Sequence, residues 1–298
     1  MSILKINNLT IIDKKKHPII KKISLDIEKN SFTTIIGNSN SGKTVLLEAI
    51  FNLLSKELYI ESGEILYDKQ SVFEIDDYSG DEIVLIFNTP KIIFNDNYKI
   101  ENQIFDMLLS KKKFKNKWEI KKVLSHYLEL LDIDSNVLKN YPYNIDNKNI
   151  KKLAIVLALL FKPKILVIDD SFHSLDSITI KLIYLLLKSL KNKMTIIFFT
   201  SINSSIVKLS DSVHYLYKGI ILESLNYNRL SEYELMHPYR KLFNNEVSVI
   251  AQDNLTETTK GCIYYNMCFK RKDTCLSFDN TLKEYEHEHF LSCVNLEE

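Results

Sequence analysis

The chain reads as an α/β fold built on a parallel sheet, and three observations predict it. Two continuous apolar runs, Ile165-Leu166-Val167-Ile168 and Thr195-Ile196-Ile197-Phe198-Phe199, flank a helix-like stretch from Ile178 to Leu190. Runs of that kind suit strands buried on both faces of a parallel sheet. A third run, Phe32 to Ile36, passes through Gly37 into the helical pattern Val45 to Leu54, giving strand, glycine-containing loop and helix in succession. Ahead of it, short apolar runs alternate with polar breaks, Leu4 to Ile12 and Ile23 to Ile27, which predicts an antiparallel, strand-rich opening.

The middle of the chain is mainly helical in pattern. Ile100 to Leu109, Trp118 to Leu131 and Ile150 to Phe161 form a helical insert over about 88–161. From about Ser231 the pattern turns irregular, with Pro238, scattered tyrosines and all four cysteines. The reading is therefore a nucleotide-binding-type domain over 1–230 and a C-terminal extension over 231–298. A chain of 298 residues with 45% hydrophobic residues is long enough for one sizeable α/β domain plus such an appendage.

Charge and leader signals narrow the partners. A net charge of only +1 favours neither nucleic acid nor an anionic membrane surface. The start, Met1-Ser2-Ile3-Leu4-Lys5, lacks the basic and apolar regions of a signal peptide, and no apolar run approaches the roughly 18 residues of a membrane span. A cytoplasmic protein is expected, with any membrane attachment supplied by a partner. Glycine is scarce, with six in the chain, so each position that keeps one is informative. The four cysteines all lie between 262 and 293, which in a reducing compartment points to ligation before disulfides.

Gly37-Asn38-Ser39-Asn40-Ser41-Gly42-Lys43-Thr44 fits G-x-x-x-x-G-K-S/T between a buried strand and a helix. Glycines let the backbone curl so that amides and the helix N-terminus face phosphates, Lys43 reaches the terminal phosphates, and the Thr44 hydroxyl suits Mg²⁺. Farther on, Ile165-Leu166-Val167-Ile168-Asp169-Asp170 is an apolar strand ending in two carboxylates, of which Asp169 would hold Mg²⁺ directly or through water. Together these predict a P-loop NTPase (RecA-like) core binding ATP and Mg²⁺. To it are added an antiparallel β subdomain, a helical subdomain and an irregular, cysteine-containing C-terminal extension. Lys14-Lys15-Lys16 and Lys111-Lys112-Lys113 read as solvated loop charges.

Other segments resemble one family, the ATPase subunits of oligopeptide, dipeptide and nickel ABC importers. Asn88 to Ile104 is similar to the family's Q-loop stretch, Q-D-P-x-x-S-L-N-P-x-x-x-I-x-x-Q-I, matching at Pro90, Asn95, Ile100, Gln103 and Ile104. Tyr141-Pro142-Tyr143 resembles the Y-P-H before the ABC signature, and Ser174-Leu175-Asp176 the D-loop. Asp211-Ser212-Val213 and Tyr217-Lys218-Gly219 with Glu223 resemble the end of the core. His237-Pro238-Tyr239 with Leu242 resembles the H-P-Y-T-x-x-L of the extension, and Cys262, Cys268, Cys275 and Cys293 its cysteine region, spaced C-x5-C-x6-C-x17-C. The resemblance implies a subunit that couples ATP to import of peptides, nickel or a metal chelate. Its partners would be a second ATPase subunit, two membrane permeases and, indirectly, an extracytoplasmic binding protein. It also implies a 4Fe–4S cluster on the four cysteines; from chemistry alone, zinc suits four thiolates equally.

Several positions depart from that family. At the signature stand Ile145-Asp146-Asn147-Lys148-Asn149, without the glycines that carry amides to a partner's γ-phosphate, and Asp146 offers a like charge. Asp170 takes the place of a glutamate that orients the attacking water, one methylene shorter. Ser201, in Thr200-Ser201-Ile202, replaces the switch histidine, and Asn88 replaces the Q-loop glutamine. The adenine-stacking aromatic expected near Ile12 or Asp13 is missing, and His173 reads as ordinary D-loop packing. Weak hydrolysis at this chain's own site is therefore expected, as the degenerate half of an ATPase heterodimer, with a catalytically silent regulatory or scaffold subunit as the alternative.

Overall fold

The computed structural model describes residues 1–75, 82–89, 93–169, 172, 175–233, 235–244 and 261–296. The chain opens with β1 (Ser2–Asp13), β2 (Pro18–Glu28), β3 (Phe32–Ile36), α1 (Lys43–Ile50), β4 (Leu58–Tyr67) and β5 (Gln70–Ser71). There follow β6 (Ile83–Ile86), α2 (Ile100–Ser110), α3 (Lys117–Leu130), α4 (Asn147–Leu160), β7 (Ile165–Asp169), α5 (Ser177–Leu190) and β8 (Thr195–Thr200). The last strands are β9 (Ser212–Tyr217), β10 (Ile220–Asn226), β11 (Lys283–Glu286) and β12 (His289–Leu291). The chain forms two compact units, Met1–Asp76 with Phe199–Glu298, and Asp77–Phe198.

In the first unit β1 pairs antiparallel with β2 and with β4, setting Ile6 beside Leu25 on one side and Ile65 on the other. All three residues are buried, because the period-2 alternation puts one apolar face of the sheet inward. A second set of strands runs β11, β12, β10, β9, β3. Every residue of β3 is buried, and it lies parallel to β9 with Ile36 level with Tyr215. The predicted extension does not stay irregular throughout. Its β12 adds to β10, with Glu223 level with Leu291, so the C-terminal residues share a sheet with the core.

In the second unit β6 and β7 are parallel, Ile83 level with Ile165 and Ile86 with Ile168. Side chains cap three of the helices: Asn116 accepts from the Glu119 amide, Asp146 from Asn149 and Asp176 from Thr179, each satisfying an amide that has no partner within its helix. From Ile150 to Leu160 every residue of α4 is buried, the pattern of a helix enclosed on all sides. Lys151 and Lys152 share that burial; the Lys152 ammonium donates to the Asp132 carbonyl at 3.1 Å.

The helical pattern expected over Val45 to Leu54 stops early, because Asn52 adopts φ 53°. The Asn52 amide then bonds to the Ala49 carbonyl and the Leu53 amide to that of Glu48, at 3.1 and 2.8 Å. This is the paired-hydrogen-bond ending in which a left-handed residue turns the chain out of the helix.

Candidate functional site

The phosphate-loop residues begin where β3 ends. The Gly37 amide donates to the Thr200 carbonyl at 3.1 Å, which sets Ser201 directly beyond the loop's first residue. A β-carbon on Gly37 would lie 2.4 Å from Ser41 Oγ and 2.6 Å from the Leu216 carbonyl oxygen, so only glycine lets the loop close this tightly. Gly42 takes φ 102° as the N-cap of α1. Asn38 and Ser41 close a turn at 3.3 Å, and the Gly219 amide holds the Ser41 carbonyl at 2.8 Å.

The Lys43 ammonium folds over this curl, donating to the carbonyls of Gly37 at 2.5 Å and Asn38 at 2.9 Å and to Ser41 Oγ at 3.4 Å. Alone among the described α-helices, α1 has neither a side-chain cap nor an acidic residue in its first turn. Its first-turn amides and the Lys43 charge lie at one end, with the Thr44 hydroxyl in the same turn. That donor set fits an anion of phosphate type. Ser39 and Asn40 are exposed on the loop's outer side, with Asn40 at φ 61°.

In the second unit the parallel register brings Asn88 and Asp169 to the same ends of neighbouring strands. Ile86 is level with Ile168, so Asn88 follows β6 where Asp169 closes β7. Asn88 is exposed and Asp169 half-buried. Asp170, Pro90, His173 and Ser174 lie outside the described residues.

The signature position is occupied by its own helix cap. Asp146 accepts from the Asn149 amide at 2.7 Å and from its Nδ2 at 2.9 Å, and Lys148 pairs with Asp176 at 3.6 Å. Hydrogen bonds from the Thr179 amide and hydroxyl, then the nearby Lys148, hold the Asp176 carboxyl below the usual range. Where the missing aromatic was expected, Asp13 closes a turn instead. It accepts from the amides of Lys15 and His17 at 2.8 Å and pairs with His17 Nδ1 at 3.1 Å.

The four cysteines are free thiols, Cys262, Cys275 and Cys293 buried and Cys268 half-buried. Burial pushes Cys262 and Cys268 up to about 11, and like charge from the other thiols adds to this, from Cys293 and Cys275 at the first and from all three at the second. Among the described residues, no group of three or more His, Cys, Asp or Glu side chains is placed to hold a metal ion. Neither zinc nor a 4Fe–4S cluster finds support in the geometry.

Sequence reasoning treated the extension as an appendage and missed its contact with the loop. The fully buried Tyr239 hydroxyl accepts from the Asn38 amide at 3.0 Å and lies 3.1 Å from both Asn38 Oδ1 and the Leu216 carbonyl. Gly219, one of the six glycines, carried a signal that a close approach was needed there.

A family model for ABC transporters matches residues 20–173, half of the chain. This chain belongs to the ABC transporter family. Its relatives include the nickel import system ATP-binding protein NikD of Staphylococcus aureus (strain MRSA252), 27% identical over 243 residues that cover 80% of this chain and 93% of that protein. The metal-staphylopine import system ATP-binding protein CntD of S. aureus (strain Mu50) is 28% identical over 187 residues, 60% of this chain and 68% of that one. Among solved structures, cbiO1 from Clostridium perfringens, part of the ABC transporter complex cbiONQ, superposes with a TM-score of 0.64 at 20% identity, covering 78% of this chain and 91% of that one. The bacterial ABC transporter cassette MJ0796, solved as a dimer, gives 0.65 at 22% identity, covering 75% and 98%. These two likenesses establish the P-loop ABC cassette fold. No helix among the described residues of this family member is long and apolar enough to cross a membrane.

Proposed function

We propose that this chain is the ATP-binding subunit of an ABC importer for nickel, a metal chelate or peptides. The observation that carries the reading is the glycine-closed loop Gly37–Thr44 on the uncapped α1, with Lys43 folded over it. Amides of the loop would hold the triphosphate, Lys43 would exchange its carbonyl partners for phosphate oxygens, and Thr44 would hold Mg²⁺, a role that the family resemblance gives to Asp169 as well. The bound Mg²⁺ supplies charge neutralisation at the phosphates. The nickel and metal-staphylopine import systems named for the two S. aureus relatives favour metal cargo. The subunit would act on the inner face of the membrane, bound to two permeases, with a binding protein outside and a second ATPase subunit as partner.

The signature residues support a degenerate role in that pair. Asp146 spends its carboxylate on the α4 N-terminus, placing negative charge where the family presents amides to a partner's γ-phosphate. Asn88, Ser201 and Asp170 each shorten or replace a group that handles the attacking water, and a misplacement of about 1 Å costs on the order of 100-fold in rate. Saturable MgATP binding, abolished by Lys43→Ala, together with slow single-turnover hydrolysis at this site, is the expected result. Fast hydrolysis tracing to this chain's own site would overturn the degenerate reading, and absent MgATP binding would overturn the whole.

The same Asp146 cap also favours a second reading, a catalytically silent nucleotide-binding regulatory or scaffold subunit. Binding without any turnover in the assembled transporter separates it from the first. The 4Fe–4S cluster on Cys262, Cys268, Cys275 and Cys293, with zinc as the alternative, rests on the family resemblance. Cysteine binds metal as the thiolate, so loading would release thiol protons. Iron and acid-labile sulfide after anaerobic purification decide it, and zinc without iron would replace the cluster.

A further inference from the structure

We propose that Tyr239, on the C-terminal extension, is a positioning residue for the phosphate loop, so that docking of the extension sets the affinity for nucleotide. The inference rests on the nucleotide-binding reading above and deepens it.

A buried tyrosine hydroxyl has one proton to give and room to accept two. Here it faces three groups: the Asn38 amide, the Asn38 side chain and the Leu216 carbonyl, all within 3.1 Å. A carbonyl can only accept, so the hydroxyl proton goes to Leu216. Both remaining contacts are then satisfied when Asn38 turns its side-chain NH₂, rather than its oxygen, toward the tyrosine, an orientation assigned from the network. Burial raises the Tyr239 phenol above its usual range, so it stays a donor at all physiological pH.

What the hydroxyl fixes is the peptide between Gly37 and Asn38. The carbonyl of that peptide, on Gly37, receives the Lys43 ammonium at 2.5 Å, while its amide, on Asn38, goes to Tyr239. The Leu216 carbonyl to which Tyr239 donates is also the group that a β-carbon on Gly37 would meet at 2.6 Å. One hydroxyl therefore ties the first two loop residues to the end of β9, and the carbonyl that parks Lys43 is oriented by it. On the loop's other shoulder the Gly219 amide holds Ser41.

Tyr239 is itself held from the extension. Its amide donates to His237 Nδ1 at 3.0 Å, and the His237 amide donates to Glu223 Oε2 at 3.2 Å. Its ring packs against Tyr217, Tyr264 and Phe243, with centroids 5.0, 5.4 and 5.2 Å away. These contacts keep the ring in place when the hydroxyl alone is removed.

The test is Tyr239→Phe in the full chain, with MgATP binding measured by calorimetry beside the wild type and Lys43→Ala. A single hydrogen bond of this kind predicts an affinity weaker by about 3- to 10-fold, with a thermal midpoint kept by the ring. A second measurement needs no variant. Hydrogen exchange of the nucleotide-free wild type should show the Asn38 amide protected well beyond the exposed amides of Ser39 and Asn40. Wild-type affinity in Tyr239→Phe, or an Asn38 amide that exchanges as fast as its neighbours, overturns the positioning role and leaves the nucleotide-binding reading standing. A wild type that binds no MgATP overturns both.

Discussion

Glu223 and His289 meet across β10 and β12, His289 Nε2 lying 3.0 Å from Glu223 Oε1, with both side chains fully buried. The other ring nitrogen of His289 faces Glu286 at 2.9 Å, and Arg240 donates to the same Glu223 oxygen at 2.7 Å. Two carboxylates thus face one guanidinium and one imidazole, with the Tyr233 ring stacked on the imidazole at 4.4 Å. Burial alone would lower the His289 pKa, but its hydrogen bonds to Glu223 and Glu286 prevail and raise it.

Removing the charge of Glu223 should loosen the extension from the core. Glu223→Gln leaves Arg240 and His289 buried without their shared partner, and breaking a buried pair of this kind costs about 3–5 kcal/mol. Because the folded pKa of His289 is raised, its contribution is fully present below the unfolded value of 6.5 and fades as pH rises through the folded one. Urea titrations of wild type and Glu223→Gln should differ most at pH 6, and the gap should narrow as the medium turns alkaline to the part owed to Arg240, which stays charged. An equal midpoint at pH 6 would contradict the network.

His214 and His237 impose the opposite dependence. Burial pushes both down to about 4, so each stays neutral while the unfolded chain takes up a proton. Stability from these two is present above pH 6.5 and lost as pH falls toward 4, on the order of 3 kcal/mol for each. Among the described residues, His214 has the Ser224 hydroxyl as its hydrogen-bond partner, at 2.8 Å, and its Nε2 has none. Replacing His214 with Gln, which does not titrate, should flatten the acid limb of stability measured between pH 7 and 4.5. An unchanged limb would place the acid sensitivity elsewhere.

The cap on α4 predicts a graded series. Asp146→Ala leaves the Asn149 amide without its acceptor and should cost about 1 kcal/mol, whereas Asp146→Ser retains a capping oxygen and most of the stability. Denaturant midpoints for the two variants should separate accordingly. Equal midpoints would mean that Asp146 does not stabilise the helix.

Legibility in the sequence followed the length scale of the interactions. The strands β7 and β8 were readable because their continuous apolar runs mark strands buried on both faces, the helices α2 to α5 because apolar residues recur at helical spacing, and the phosphate loop because its glycines and Lys43 fall in one short stretch. The end of α1 was not, since apolar Leu53 and Leu54 prolong the periodic pattern while the turn is made by one left-handed Asn52. The cap function of Asp146 was hidden by comparison with a glycine-rich signature, though Asp three residues before an amide that needs an acceptor is a local signal. The contact of Tyr239 with Asn38 joins positions 201 residues apart, and no periodicity encodes it. Addition of β12 to β10 was equally invisible, because a three-residue strand among polar residues carries almost no pattern.

Gly219 offers the sharpest test of how the loop is held. It adopts φ +79°, and a β-carbon there would lie 1.9 Å from the Ile19 carbonyl oxygen and 3.1 Å from the Ile20 α-carbon. Both neighbours are backbone in β2, so neither can swing aside as a long side chain would. The same residue donates its amide to the Ser41 carbonyl and accepts at its own carbonyl from the Lys21 amide at 2.9 Å. Gly219→Ala therefore has to move β2, the turn after β9, or both. The left-handed conformation alone costs about 1–2 kcal/mol for a residue with a β-carbon, and the displacement adds to it. Because the shift is transmitted to Ser41, MgATP affinity should fall along with the thermal midpoint. An alanine variant with the wild-type midpoint and affinity would show that the contact between Gly219 and the loop holds nothing in place.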